Sequence, residues 1–475
     1  RDRLRSRGLG DVYKRQVMAE SRKGKIDMTT GHIMKNIILF AIPIIIGNVL
    51  QQLYTTVDAL VIGKYCGDTS LAAVGTSSQP VEVLLCVFLG IGTGVSILIS
   101  QYAGAKESDK VVSICGTSIT FIYIIGIPIG ILGWFAAPYI LEFMKVPQDV
   151  WDAALIYTRL VFLGTLGNLG YNMNAGILRG LGDSKASLWF LVVSCISNIV
   201  FDLVFVAGFG MDVAGAALAT SIAMFISWLV SITYIRKMFP EIQFTFLPRR
   251  FSGKMMKNIL AIGLPVGLNN SLYSLGHVAL QTFNNSQGAI FMAGGAVAGR
   301  ITGCANIAIT GLSSAATTFS GQNYGAKKYD RIKEGHWRIP LCSGVITLSF
   351  GLFFIMIHRP LIRFFSSDEI VLMYASRHIV VMLLSQWFFA IFNCIISIVN
   401  GTGKVRYTTI VNILMLWAVR IPSAYIISKY FDGTWVMLCF PISFSFGMFA
   451  MIGYYLFSPA WKEVMELAEH GKAAD

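Results

Sequence analysis

SQYAGAK at residues 100–106 returns as SGQNYGAK at residues 320–327, with Gln101, Gly104, Ala105 and Lys106 matched by Gln322, Gly325, Ala326 and Lys327, 221 positions later. The same offset holds on either side of this pair. Gly180 and Gly182 of RGLGDSK reappear as Gly401 and Gly403 of NGTGKVR, Gly90 reappears as Gly311, and Pro43 reappears 222 positions on as Pro265. Four matches from separate segments imply an internal duplication. Between these landmarks the chain reads as apolar runs at 33–60, 71–101, 111–140, 152–178, 186–209, 213–238, 254–281, 288–320, 337–357, 370–399, 406–429 and 434–457, six in each copy. Six is even, so both copies enter a membrane in the same sense, as parallel repeats do. The expected fold is an all-α integral membrane protein with twelve transmembrane helices in two six-helix lobes, related by a pseudo-twofold along the membrane normal.

Composition agrees with this reading. Of 475 residues, 55% are hydrophobic and only 13% charged, about half the charge a soluble domain carries, and mean hydropathy is +0.64. At roughly 20 residues per crossing twelve spans leave little room for a soluble domain. The expected divisions are a non-native tail at 1–17, an amino-terminal lobe at 18–235, a cytoplasmic linker at 236–253, a carboxy-terminal lobe at 254–460 and a cytoplasmic tail at 461–475. The first sixteen residues hold six Lys or Arg against two Asp and no apolar periodicity, and no cleavable signal is evident. Beyond them, Lys and Arg number 23 on one set of alternating loops and 5 on the other, which orients both termini toward the cytoplasm. Net charge is +13, but without a basic domain it suits anionic lipid rather than nucleic acid.

No two of the eight cysteines have redox or metal-ligand spacing, no H-x-x-x-H pair occurs, and GIGTG at 90–94 has neither the preceding strand nor the Gly-Lys-Ser/Thr of a phosphate loop. These patterns argue against an enzyme and against a cofactor. Ionisable groups within lipid cost at least ~2.5–3.5 kcal/mol at a helix centre, so the few present are informative. Asp58 in QQLYTTVDALVIG has Tyr54 one turn earlier, and Asp202 in SNIVFDLVF has Asn198 one turn earlier. Carboxylates, an amide oxygen and a hydroxyl are hard ligands able to hold Na⁺ or a proton, although the same groups could serve only to hydrogen-bond neighbouring helices. The second half has no equivalent acid within its spans. Glu82 lies in the outer part of the second run, and Arg300 and Arg420 read as deeper than Arg159 and Arg377. Gln51, Glu82 and Arg300 are weak candidates for lining a substrate cavity.

The chain from about Ile26 to Phe457 resembles the multidrug and toxic compound extrusion (MATE) family. The resemblance rests on DMTTGHIMKNIILFAIPIIIGNVLQQLYTTVDALVIG (27–63), LAAVG (71–75), the paired GAK turns, RGLGDSK and NIVFDLVFVAGFGMDVAGAALAT (198–220). It implies a monomeric transporter of the bacterial inner membrane that exports organic cations in exchange for inward H⁺ or Na⁺ by alternating access. It also implies a cation site at Asp58, Asn198, Asp202 and Thr220 with Tyr54 beside it, Thr220 entering through the resemblance alone. Some members carry a functional acid in span seven, but LPVGLNNSLYSLGHVALQ (264–281) has none, so coupling is expected in the first lobe. The alternative is a lipid-linked oligosaccharide or other lipid flippase of the same superfamily, which would need a large basic cavity.

Overall fold

The computed structural model describes residues 25–471 except positions 249 and 286, and the expected non-native tail at 1–17 lies outside the described residues. All regular elements among the described residues are helical. They are α1 (Ile33–Tyr65), α2 (Asp68–Gly104), α3 (Ser108–Phe143), α4 (Trp151–Leu163), α5 (Thr165–Gly180), α6 (Ser184–Asp202) and α7 (Asp212–Met238). There follow α8 (Gly253–Asn285), α9 (Ala289–Gly325), α10 (Tyr329–Phe365), α11 (Glu369–Gly401), α12 (Val405–Ile413), α13 (Ile421–Tyr430), α14 (Cys439–Phe457) and α15 (Pro459–Gly471). Two stretches of π-helix extend them, Leu203–Gly208 after α6 and Leu414–Arg420 between α12 and α13.

Among the described residues ten helical stretches are long and apolar enough to cross a membrane, and the bent pair α4 and α5 adds an eleventh. The expected seventh span is α8. Its 33 residues reach about 50 Å at 1.5 Å per residue, but Asn269, Asn270, Ser271, His277 and Gln281 make it too polar to count with the others. Part of that polarity is spent on α2, because Ser271 Oγ donates to the Val83 carbonyl at 2.8 Å. Most helices outrun the apolar stretches that predict them. At 33–37 residues, α1–α3 and α8–α11 exceed the ~30 Å hydrocarbon layer. Their outer faces carry large apolar side chains such as Phe143 (89% exposed) and Phe364 (85%), which in water would be costly and in lipid are not.

Packing divides the chain into two compact units. The first comprises Leu50–Glu82 and Lys106–Ile259 with the described residues up to Asp27, and the second comprises Met28–Val49, Val83–Ala105 and the chain from Leu260 onward. Each of α1 and α2 thus contributes to both. Glycine explains the composition of the second unit. A Cβ on Gly90 of α2 would lie 2.1 Å from Gly267 of α8, and one on Gly311 of α9 would lie 2.4 Å from Ile45 of α1. Backbones approach this closely only where side chains vanish. The two contacts follow the repeat, since Gly90 and Gly311 are its counterparts. The GAK turns repeat as well: Lys106 (φ 59°) and Lys327 (φ 58°) both take the left-handed conformation, as do Gly182 (φ 93°) and Gly403 (φ 85°).

In the first unit, α4 and α5 meet at 46°. The joint is Gly164, where a Cβ would come 2.1 Å from Ser221 Oγ, and that hydroxyl donates to the Leu160 carbonyl at 3.3 Å. A side chain bonded to the turn before a glycine is a recognised cause of a kink. Gly164→Ala is expected to cost about 1–3 kcal/mol by overpacking, seen as a lower melting temperature in detergent and recovered in part by adding Ser221→Gly.

Residues 461–471 of the segment expected as a carboxy-terminal tail belong to α15, which starts at Pro459 and lies in the second unit. Trp461 stacks on Tyr455 at 4.6 Å, while Lys333 pairs with Glu469 at 2.6 Å and Lys404 with Glu463 at 3.4 Å.

Candidate ion-coupling site

Regular hydrogen bonding in α6 ends at Asp202, and the chain continues in π turns, with the Phe209 N–H reaching the Val204 carbonyl at 2.9 Å. Such wide turns inside a membrane helix recur at functional sites. Asn198 and Asp202 stay on one face of the regular part, 2% and 0% exposed. From α7, Thr220 comes alongside, its Oγ1 accepting from Asn198 Nδ2 at 3.2 Å. From α1, the Asp58 carboxyl is a direct neighbour of the Asp202 carboxyl, and Tyr54 lies near both. The structure therefore brings together all five residues expected at the cation site, and all five belong to the first unit.

The arrangement is short of donors. Oδ1 of Asp58, Oδ1 of Asn198 and both carboxyl oxygens of Asp202 are buried with no hydrogen-bond donor among the described residues. A buried acceptor left unmet costs about 1–3 kcal/mol, and two adjacent carboxylates add mutual repulsion. A proton shared between the carboxyls relieves their repulsion, and a Na⁺ ion among the four oxygens would offset it and meet the unmatched acceptors. The donor set is of the hard oxygen type that suits either.

The three weaker candidates were expected at a substrate cavity. Gln51 and Glu82 are exposed, and among the described residues no contact joins Glu82 to either carboxyl group. Arg300, read from sequence as deep, is exposed on the second unit with its guanidinium 5.7 Å from the Phe365 ring. Position within an apolar run does not fix which way a helix face points. Two tyrosines were not anticipated. Tyr157 of α4 lies close to Asp58, Tyr54 and Asp202, and Tyr171 of α5 is next to Tyr54 and Cys195. A lone tyrosine in an apolar run has no spacing signal.

The second unit has the opposite polarity. Arg420, at the end of the second π stretch, is 0% exposed. Its Nε donates to Ser443 Oγ at 2.9 Å and its Nη1 to Tyr273 Oη at 3.2 Å, with the Phe444 and Phe440 rings at 4.9 and 5.0 Å. No carboxylate pairs with it among the described residues. Among the described residues no group of three or more His, Cys, Asp or Glu side chains is placed to hold a metal.

Comparison with known proteins identifies the family and the fold. The MatE family pattern matches residues 43–204 and again residues 265–426, so the match itself is duplicated at the offset of Pro43 and Pro265. The chain is 30% identical over 447 residues to the probable multidrug resistance protein YoeA of Bacillus subtilis, covering 91% of this chain and 95% of that one. It is 26% identical to the probable multidrug resistance protein YpnP of the same organism, covering 93% and 99%. A crystal structure of a MATE transporter in complex with MaD3S superposes with a TM-score of 0.83 at 23% identity, covering 94% of this chain and 99% of that one. The fold is accordingly the twelve-helix, two-lobe membrane fold of those transporters, as the repeat predicts. With its family pattern matched in both halves and relatives aligned over nearly its whole length, this chain belongs to the MatE family of multidrug and toxic compound extrusion transporters.

Proposed function

We propose that the chain is a secondary antiporter that exports organic cations in exchange for inward H⁺ or Na⁺, with coupling at Asp58, Asn198, Asp202 and Thr220. The observation that carries this reading is the set of four buried oxygens without donors on Asp58, Asn198 and Asp202. In this cycle an entering cation neutralises one negative charge in the first lobe. That change weakens the hold on the drug, and the cation leaves on the other side after the lobes rock. Coupling requires ion and drug to differ in affinity between the two states, because a ligand indifferent to the state shifts nothing. Tyr54 borders the pair. The transport lobes are those of the repeat, 18–235 and 254–460 joined by 236–253. The protein acts as a monomer in the bacterial inner membrane with both termini cytoplasmic.

Ethidium efflux from proteoliposomes, driven separately by a Na⁺ gradient and by a pH gradient, tests the proposal. One gradient is expected to drive efflux and the other not. Thr220→Val should leave the Asn198 amide without its acceptor, and a loss of about 1–3 kcal/mol predicts a roughly tenfold rise in the ion concentration that half-saturates transport. A flippase would need a large basic cavity, and sequence offers only Arg300 and Arg420 for one.

A further inference from the structure

We propose that a cavity between α3 and the segment that follows α7 is a phosphate-binding site, separate from the ion-coupling residues. The cavity has a volume of about 350 Å³ and lies wholly within the first unit. Arg236 and Arg250 both line it, Gln243 and Thr245 add polar atoms, Ile119 and Phe244 form apolar wall, and no carboxylate is among the lining residues. The neighbouring acid, Glu241, is exposed and outside the lining.

Arg236 and Arg250 are exposed residues that line one cavity, and no acidic side chain pairs with either among the described residues. Arg250 Nη2 donates to Gln243 Oε1 at 2.9 Å, and Arg236 has no ion pair or hydrogen bond to its side chain among the described residues. Each guanidinium offers five N–H donors in a planar fork matched to phosphate oxygens, so nearly all of that capacity is unspent.

The wall carrying Arg250 is held in place. Tyr123 Oη donates to the Phe246 carbonyl at 3.1 Å, Thr120 Oγ1 donates to the Arg250 carbonyl at 3.1 Å, and the Ser252 N–H donates to Thr117 Oγ1 at 3.2 Å. Gly116 lets Arg250 come close, since a Cβ there would lie 2.9 Å from Arg250 Cβ. Gln243 sits at φ 51°, a conformation costly for a non-glycine residue, and its side chain from there orients Arg250. Phosphate would accept paired N–H groups from the arginines, with the Gln243 amide as a further donor, while the Thr245 hydroxyl is already donated to the Leu247 carbonyl at 2.8 Å. The apolar wall would take the carbon skeleton of a phosphate ester. The charge pattern of the loops puts this cavity at the cytoplasmic membrane surface, where phospholipid headgroups and soluble phosphate esters both occur.

The test uses the full chain purified in detergent. Native mass spectrometry measures retention of phosphatidylglycerol against diacylglycerol, which lacks phosphate, and titration calorimetry measures binding of glycerol 3-phosphate and inorganic phosphate. At least tenfold preference for phosphatidylglycerol over diacylglycerol is expected, falling to parity in the Arg236→Gln, Arg250→Gln double variant. Arg236→Lys with Arg250→Lys, which keeps charge but not the fork, should retain only part of the preference. If glycerol 3-phosphate displaces the lipid from the unmodified protein, the ligand is a soluble ester; if only the lipid binds, it is a headgroup. Absence of preference for any phosphate-bearing probe in the unmodified protein overturns the proposal, whether or not the variants fold. So does a folded double variant that binds as well as the parent.

Discussion

Asp202→Asn is expected to abolish ion-driven ethidium efflux, a loss of at least a hundredfold, while the protein still elutes as a folded species and melts no lower than the parent. The reasoning starts from the buried oxygens. Asp202 has two without a donor, and Asp58, which lies against it, has one more. The amide keeps the size of the carboxyl but carries no charge and can donate to Asp58, so it supplies from within what the cation supplies from outside. Removing a buried repulsion favours the fold, and a group that is permanently neutral has nothing to exchange with the gradient. Asp58→Asn should act in the same direction. Efflux that persists with both aspartates replaced would refute the assignment of coupling to this pair, and a destabilised Asp202→Asn protein would mean the carboxylates serve packing instead.

Gly325→Leu should have the largest effect on assembly. A Cβ at Gly325 would stand 1.8 Å from the Gln101 carbonyl oxygen, and one at Gly104 would stand 2.0 Å from the Gln322 carbonyl oxygen. Neither neighbour is a movable side-chain end. The ends of α2 and α9 would have to separate, and with them the hydrogen bonds from Gln101 Nε2 to the Gly401 carbonyl at 2.7 Å and from the Met28 N–H to Gln322 Oε1 at 3.0 Å. Each of those is worth about 0.5–1.5 kcal/mol and overpacking adds about 1–3 kcal/mol or more. The expected result is little or no folded protein in the membrane fraction, judged by fluorescence-detected size exclusion. Normal yield and melting temperature would show that the two helices can part without loss.

Much of this architecture was legible because lipid leaves so few ways to satisfy a backbone. Long apolar runs had to be helices. Sequence was weaker where the deciding event is local. The bend at Gly164 depends on a hydroxyl from another helix, Ser221. The π turns after Asp202 leave no mark in composition, and α15 is held by partners far along the chain such as Lys333. At the site, one-turn spacing found Tyr54 with Asp58 and Asn198 with Asp202, because each pair sits on a single helix. Family resemblance added Thr220, and the hydrogen bond from Asn198 gives the physical reason for that position. Tyr157 and Tyr171 escaped since their relation to the carboxylates crosses helices.

The reciprocal contacts of the GAK turns bear on how such a chain could arise. Gly104 meets the backbone of Gln322, and Gly325 meets that of Gln101, so each copy of the repeat brings both the notch and the ridge that fills it. A surface that carries both is self-complementary. A half-length ancestor with one glycine and one glutamine could therefore have met its own twin through the same two contacts before gene fusion made them one chain. Once the gene was duplicated the copies could diverge, and now the first unit holds buried Asp202 and the second buried Arg420, whereas a homodimer must carry every substitution twice.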